Sequence, residues 1–189
     1  MKYEDLSEQA QEKAIKNVRN SKSFVDITDD IVYEDMRNHF DAQFTDAKFC
    51  ELYYDLSYSQ GSGCGFSGKS GKYDLDILKD IPVSKLIMEL EGTLDNFTIT
   101  FDGSNHYTIV DIEYESEFDE EEEDWKDPPY TDGEWNEICS GIEEWAKEID
   151  REMKKFGYDD CDELDSDESV IGFILSNKFD FDENGNIIN

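Results

Sequence analysis

The run Ile109 to Asp127, IVDIEYESEFDEEEEDWKD, constrains this chain more than any other. Its first half alternates with period two. Val110, Ile112, Tyr114 and Phe118 fall on one side, and Asp111, Glu113, Glu115, Glu117 and Asp119 on the other. That pattern predicts a half-buried β-strand whose wet face is entirely carboxylate. Same-face neighbours on a strand lie about 6.8 Å apart, a spacing of the same order as that of successive phosphates along a DNA strand. Glu120, Glu121, Glu122, Glu123 and Asp124 extend the charge as a solid run, closed by Trp125 and the Pro128–Pro129 pair. Acidic runs are commonly solvated loops. Here the run continues an acidic strand face, and residues 111–127 hold eleven acids against one Lys.

The excess reaches far beyond this stretch. The formal charge is −32 over 189 residues, and it is lopsided: residues 111–189 carry 29 acids and 6 bases, net −23, while residues 1–110 are net −9. Such a charge makes the compact state repel itself. Twelve Phe, ten Tyr and three Trp nevertheless supply core-forming side chains, which separates the chain from disordered acidic tails, poor in aromatics. Phosphate contacts need clustered Lys and Arg, so the balance argues against direct nucleic-acid binding and for a basic protein partner.

Residues 3–20 carry a helical stripe, Leu6, Ala10, Ala14, Ile15 and Val18, with Ser7 as N-cap. A second helix is predicted over 28–44, with Asp26 or Thr28 as cap and Ile31, Met36, Phe40 and Phe44 inward. Residues 47–60 alternate as a strand through Cys50, Leu52, Tyr54, Leu56 and Tyr58, followed by a turn at Gly61–Gly63 and a return strand over 64–67. Short helices are expected over 73–80 and 83–90, interrupted at Pro82. Phe97, Ile99 and Phe101 mark a strand that turns at 102–105 into the acidic one. From Trp135 to Phe156 the apolar positions recur at three and four, with Gly157 as the expected C-cap, and Glu143–Lys147 and Asp150–Lys154 as solvent-side pairs. Ser166 should cap a short helix through Val170 and Ile174, and the tail reads as a small hairpin around Asn184–Gly185.

Chemistry-bearing patterns are few. The segment GSGCGFSGKSG at 61–71 has five glycines but lacks the GxxxxGK[ST] spacing of a phosphate loop. Cys50, Cys64, Cys139 and Cys161 form no CxxC pair, which argues against zinc and for reduced thiols. His39 and His106 have no companion residues at ligand or catalytic spacing; His39 reads as a surface or core-edge histidine and His106 as a turn-edge one. Asp180, Asp182, Asn184, Gly185 and Ile187 match five places of a calcium loop, but no Glu stands at its twelfth place and the flanks read as strands. No metal, cofactor or catalytic residue is therefore expected. No apolar run approaches ~18 residues, so a membrane span is not expected either, and a cytoplasmic site of action is.

Three stretches, LSEQAQEKA at 6–14, LSYSQGSGCGFSG at 56–68 and SDESVIGFILSNKFDFDENGNII at 166–188, resemble a group of small acidic proteins of phages and mobile elements. With this size and charge, the chain looks most like the anti-CRISPR proteins that inhibit type II RNA-guided nucleases. The resemblance implies antagonism of host defence and carries no residue roles.

The expectation is a single α+β domain over 1–189, with a helix pair and sheet core in 1–110 and a strongly acidic part in 111–189. An antiparallel sheet of about four strands has helices on one face, followed by an acidic C-terminal helix and small hairpin. The function expected is non-enzymatic: a DNA-mimicking inhibitor that fills the basic groove of a nuclease. The contact residues would be Asp111, Glu113, Glu115, Glu117, Asp119 and Glu120 to Glu123, with Asp160, Asp162 and Asp165 as a second patch. The alternatives are an acidic chaperone or assembly factor for a basic phage protein, or a calcium-binding module.

Overall fold

The computed structural model of the chain describes residues 1–43, 51–57, 62–70, 97–114, 118–119, 124–125 and 130–188. The architecture is α+β. Among the described residues it comprises a 3-10 turn Tyr3–Asp5, helices α1 (Glu8–Arg19), α2 (Lys22–Gln43), α3 (Asp132–Leu164) and α4 (Asp167–Asn177), and strands β1 (Glu51–Asp55), β2 (Gly63–Ser70), β3 (Phe97–Gly103), β4 (Thr108–Tyr114), β5 (Phe118–Asp119) and β6 (Asp124–Trp125). β1 to β4 form one antiparallel sheet in sequential order, and β5 and β6 form a separate two-residue ladder. The expected helices over 73–80 and 83–90, together with Phe44, Cys50, Tyr58 and Gly61, lie outside the described residues.

The chain divides into two compact units, Met1–Met36 with Phe156–Asn189, and Arg37–Lys155. Each draws residues from both sides of position 110. The boundaries fall inside α2 and α3.

In the first unit the α1 stripe is buried as its spacing demands: Leu6, Ala10, Ala14, Ile15 and Val18 join Phe24, Val170, Ile174 and Phe181 in one core. Ser7 caps α1 by accepting from the Ala10 N–H, and Ser166 caps α4 by accepting from the Ser169 N–H. Fully burying a side chain such as Phe181 contributes about 1.5–3 kcal/mol. Its backbone is fixed as well, because the Phe181 N–H donates to the Met1 carbonyl at 2.9 Å while the Met1 ammonium donates to the Phe181 carbonyl at 2.6 Å. The tail turns back through Gly185, at φ 79°, where an added Cβ would stand 2.2 Å from the Ala10 carbonyl oxygen. Only glycine meets both demands.

Two expected boundaries move by six residues or more, and β3 runs on through Asp102 and Gly103, which were expected in the turn. α2 starts at Lys22, six residues before Thr28, because the Ser21 hydroxyl accepts from the Phe24 N–H. Asp26 and Thr28 lie within the helix, and the buried stripe runs through Val32, Met36 and Phe40 while Ile31 is 36% exposed. α3 passes through Gly157 to Leu164, so Gly157 is a buried helical residue and not a C-cap. Beyond it, Tyr158, Cys161 and Leu164 prolong the half-buried stripe, and tertiary burial outweighs the helix penalty of one glycine, about 1 kcal/mol.

In the second unit the sheet buries one face. Leu52, Cys64, Phe66, Ile99 and Phe101 turn inward. Phe66 meets Phe40 of α2, Phe101, and Trp145 of α3 at centroid distances of 5.5, 5.1 and 6.1 Å. Ile138, Ile142, Ala146 and Ile149 are the buried side of α3 here. Asp150 is a correction. It is 8% exposed, not on the wet side, and its two oxygens accept from the Thr108 N–H and hydroxyl, each at 2.7 Å. Lys154 donates instead to the Ser62 carbonyl at 2.8 Å. The Glu143–Lys147 pair is present at 3.8 Å.

Candidate functional site

The acidic strand is β4, and its burial alternates as the letters do: Thr108 buried, Val110, Ile112 and Tyr114 half-buried, Ile109, Asp111 and Glu113 exposed. Its start is pinned from inside. Thr108 donates twice to Asp150, and its hydroxyl oxygen accepts from the Phe66 N–H at 2.9 Å, tying α3, β2 and β4 together. Burial raises the Asp150 carboxyl above its ordinary value, and the two hydrogen bonds from Thr108 oppose that shift. The Cys64 thiol is pushed up to about 12, chiefly by burial and further by the Asp150 charge. Burial likewise raises the thiols of Cys139 and Cys161. Thiols shifted upward are poor nucleophiles.

Register determines which carboxylates share the outer face. Thr98 lies opposite Glu113, Thr100 opposite Asp111, and Asp102 opposite Ile109. On the other edge, Glu51, Tyr53 and Asp55 of β1 face Ser67, Gly65 and Gly63 of β2. Side chains alternate across a pleated sheet, so Glu51, Asp55, Asp102, Asp111 and Glu113 all belong to the face opposite the aromatic core. Two of these are locally held: Glu51 accepts from the Tyr53 hydroxyl, and Asp55 from the Ser57 N–H at 2.9 Å. Gly65 lets the β3–β4 turn approach this face, since an added Cβ would stand 2.6 Å from the Ser104 and Tyr107 carbonyl oxygens.

Of the expected contact residues, Asp111 and Glu113 are exposed side by side on β4. Asp119 lies in β5, with Asp124 of β6 as its partner in the ladder. Glu115, Glu117 and Glu120 to Glu123 lie outside the described residues. The second patch belongs to the other unit and is not uniform. Asp162 is exposed, Asp165 sits 3.2 Å from the Arg19 guanidinium, and Asp160 is half-buried with one oxygen enclosed. Burial raises the Asp160 carboxyl, and the nearby Asp35 and Glu163 charges add to the shift. Glu51, Asp55 and Asp102 join the outer face without having been singled out from sequence. Their signal was the same period-two alternation, with Asp102 continuing the outward positions Thr98 and Thr100.

The tail carboxylates are engaged within the protein. Asp180 pairs with Lys2 at 2.8 Å, and Asp182 accepts from the Asn184 and Asn186 N–H groups and the Asn186 side-chain amide. The hydrogen bonds from Lys2 and from Asn186 hold these two carboxyls below their usual range. Among the described residues, no three His, Cys, Asp or Glu side chains are grouped to hold a metal ion, and no helix is long and apolar enough to cross a membrane. No protein-family model matches the chain, no curated protein matches it, and no solved structure matches it.

Proposed function

We propose that the chain is a non-enzymatic acidic inhibitor that occupies the basic nucleic-acid groove of a DNA-handling protein inside the bacterial cell, with a type II RNA-guided nuclease as the favoured target. The observation that supports this reading is the shared outward face of Asp102, Asp111 and Glu113, set by the β3–β4 register on a sheet whose other face is locked by aromatic packing. A carboxylate row with fixed spacing offers cationic side chains what a phosphate backbone offers, without a nucleic acid's covalent chemistry. A net charge of −32 would steer such a partner from a distance and speed encounter at low salt.

A cleavage assay with guide-loaded type II nuclease and target duplex tests this directly. Wild-type protein is expected to slow cleavage in a dose-dependent way, with excess non-target duplex competing. The Asp102→Lys, Asp111→Lys, Glu113→Lys triple variant should retain its circular-dichroism spectrum and lose inhibition. Undiminished cleavage with wild-type protein would remove the nuclease as target, and equal inhibition by the triple variant would remove this face. A partner complex indifferent to added duplex would favour the acidic-chaperone alternative.

A further inference from the structure

β4 is the last strand of the sheet, with β3 as its neighbour among the described residues. Which of its backbone groups face outward follows from the turn. The Ser104 N–H donates to the Tyr107 carbonyl at 3.0 Å, so that pair is hydrogen-bonded. In an antiparallel ladder bonded and non-bonded pairs alternate. Asp102–Ile109, Thr100–Asp111 and Thr98–Glu113 are therefore bonded pairs, and Thr108, Val110 and Ile112 direct their N–H and C=O groups away from β3. Thr108 bears this out independently, since its N–H donates to Asp150 and not to β3. Asp150 thus closes the first position of the edge. Val110 and Ile112 have no such cap among the described residues.

We infer that the β4 edge at Val110 and Ile112 accepts an extended segment of the basic partner as an added strand. The inference rests on the reading of the acidic face as the partner-binding surface and supplies its mode of docking. Strand addition lets main-chain hydrogen bonds provide affinity while alternate side chains provide specificity. Outward side chains of the incoming strand would lie beside Asp111, Glu113 and Ile109, the last 53% exposed. Inward ones would continue the half-buried row of Val110 and Ile112. The fitting segment alternates Lys or Arg with an aliphatic residue. A second copy of this chain fits poorly, because Asp111 and Glu113 would face their own equivalents, and like charges across strands repel.

The probe is a short peptide alternating lysine and valine, compared with a twin N-methylated along its central amides, which keeps the charge and removes the hydrogen bonds. Binding is read by fluorescence anisotropy, and amide exchange by NMR on the intact chain. The expected result is at least about tenfold tighter binding of the unmodified peptide, with slowed exchange at Val110 and Ile112 and little change at Asp111 and Glu113. Equal affinity for both peptides, or no added protection at Val110 and Ile112, would overturn strand addition while leaving charge-driven binding at this face intact. Protection rising with protein concentration alone would make a second copy the occupant and overturn it too. If neither peptide binds at low salt, the reading of the acidic face falls with it.

Discussion

Asp150 illustrates how one residue can join the core to the acidic face. Its carboxylate holds the first residue of β4 through two hydrogen bonds. Replacing it with Ala leaves the Thr108 N–H unpartnered in a buried place, an expected loss of about 1–3 kcal/mol in urea unfolding. Asn keeps one acceptor for the Thr108 N–H and can donate its amide N–H to the Thr108 hydroxyl oxygen, so it should lose less. The pH dependence has a definite sign. Because burial raises the folded carboxyl above its ordinary 3.8, the folded state binds the proton more tightly than the unfolded state. The Asp150 contribution is therefore most favourable below that value and declines as pH rises through the raised one. Wild type should lose stability relative to Asp150→Asn across that window, as seen in paired urea titrations. The heptad-like spacing made Asp150 look solvent-facing in the sequence. Its burial comes from a partner 42 positions away, which no local pattern encodes.

At the scale of elements, α3 ends against electrostatic preference. Its last turn contains Asp162 and Glu163 and no basic residue, where the helix dipole favours cations. Glu163→Lys should therefore stabilise the protein by about 0.3–1 kcal/mol, measurable as a raised Tm at low ionic strength and a smaller rise in high salt. No gain would mean that the Lys side chain fails to reach the helix end. The elements themselves were largely legible. The stripes of α1 and α4, the β3–β4 hairpin and the inward residues of β1 follow from periods of 3.6 and 2. The misplaced ends have separate causes: the Ser21 hydroxyl, a local one, starts α2 early, and tertiary burial carries α3 through Gly157.

For the whole molecule, the decisive quantity is a charge of −32 confined to a folded chain. Self-repulsion of this size opposes compaction and is screened within about 10 Å at 0.1 M salt. Stability should rise steadily as salt increases from low ionic strength, while association with a basic partner should slow over the same range. Thermal melts and stopped-flow association in parallel salt series check both. A flat melt series would mean that self-repulsion does not limit the stability of this fold over that salt range.

The sequence by itself determined that the chain folds as α+β and that β4 would carry Asp111 and Glu113 outward, because strand alternation is a property of neighbouring residues alone. It also determined that the charge would gather in the second half. Only the tertiary structure decided which distant carboxylates share that outer face, that Asp150 turns inward, and that the β4 edge past Thr108 is left without a partner among the described residues. Those outcomes depend on register and on contacts between residues far apart in the chain, and both are set by packing.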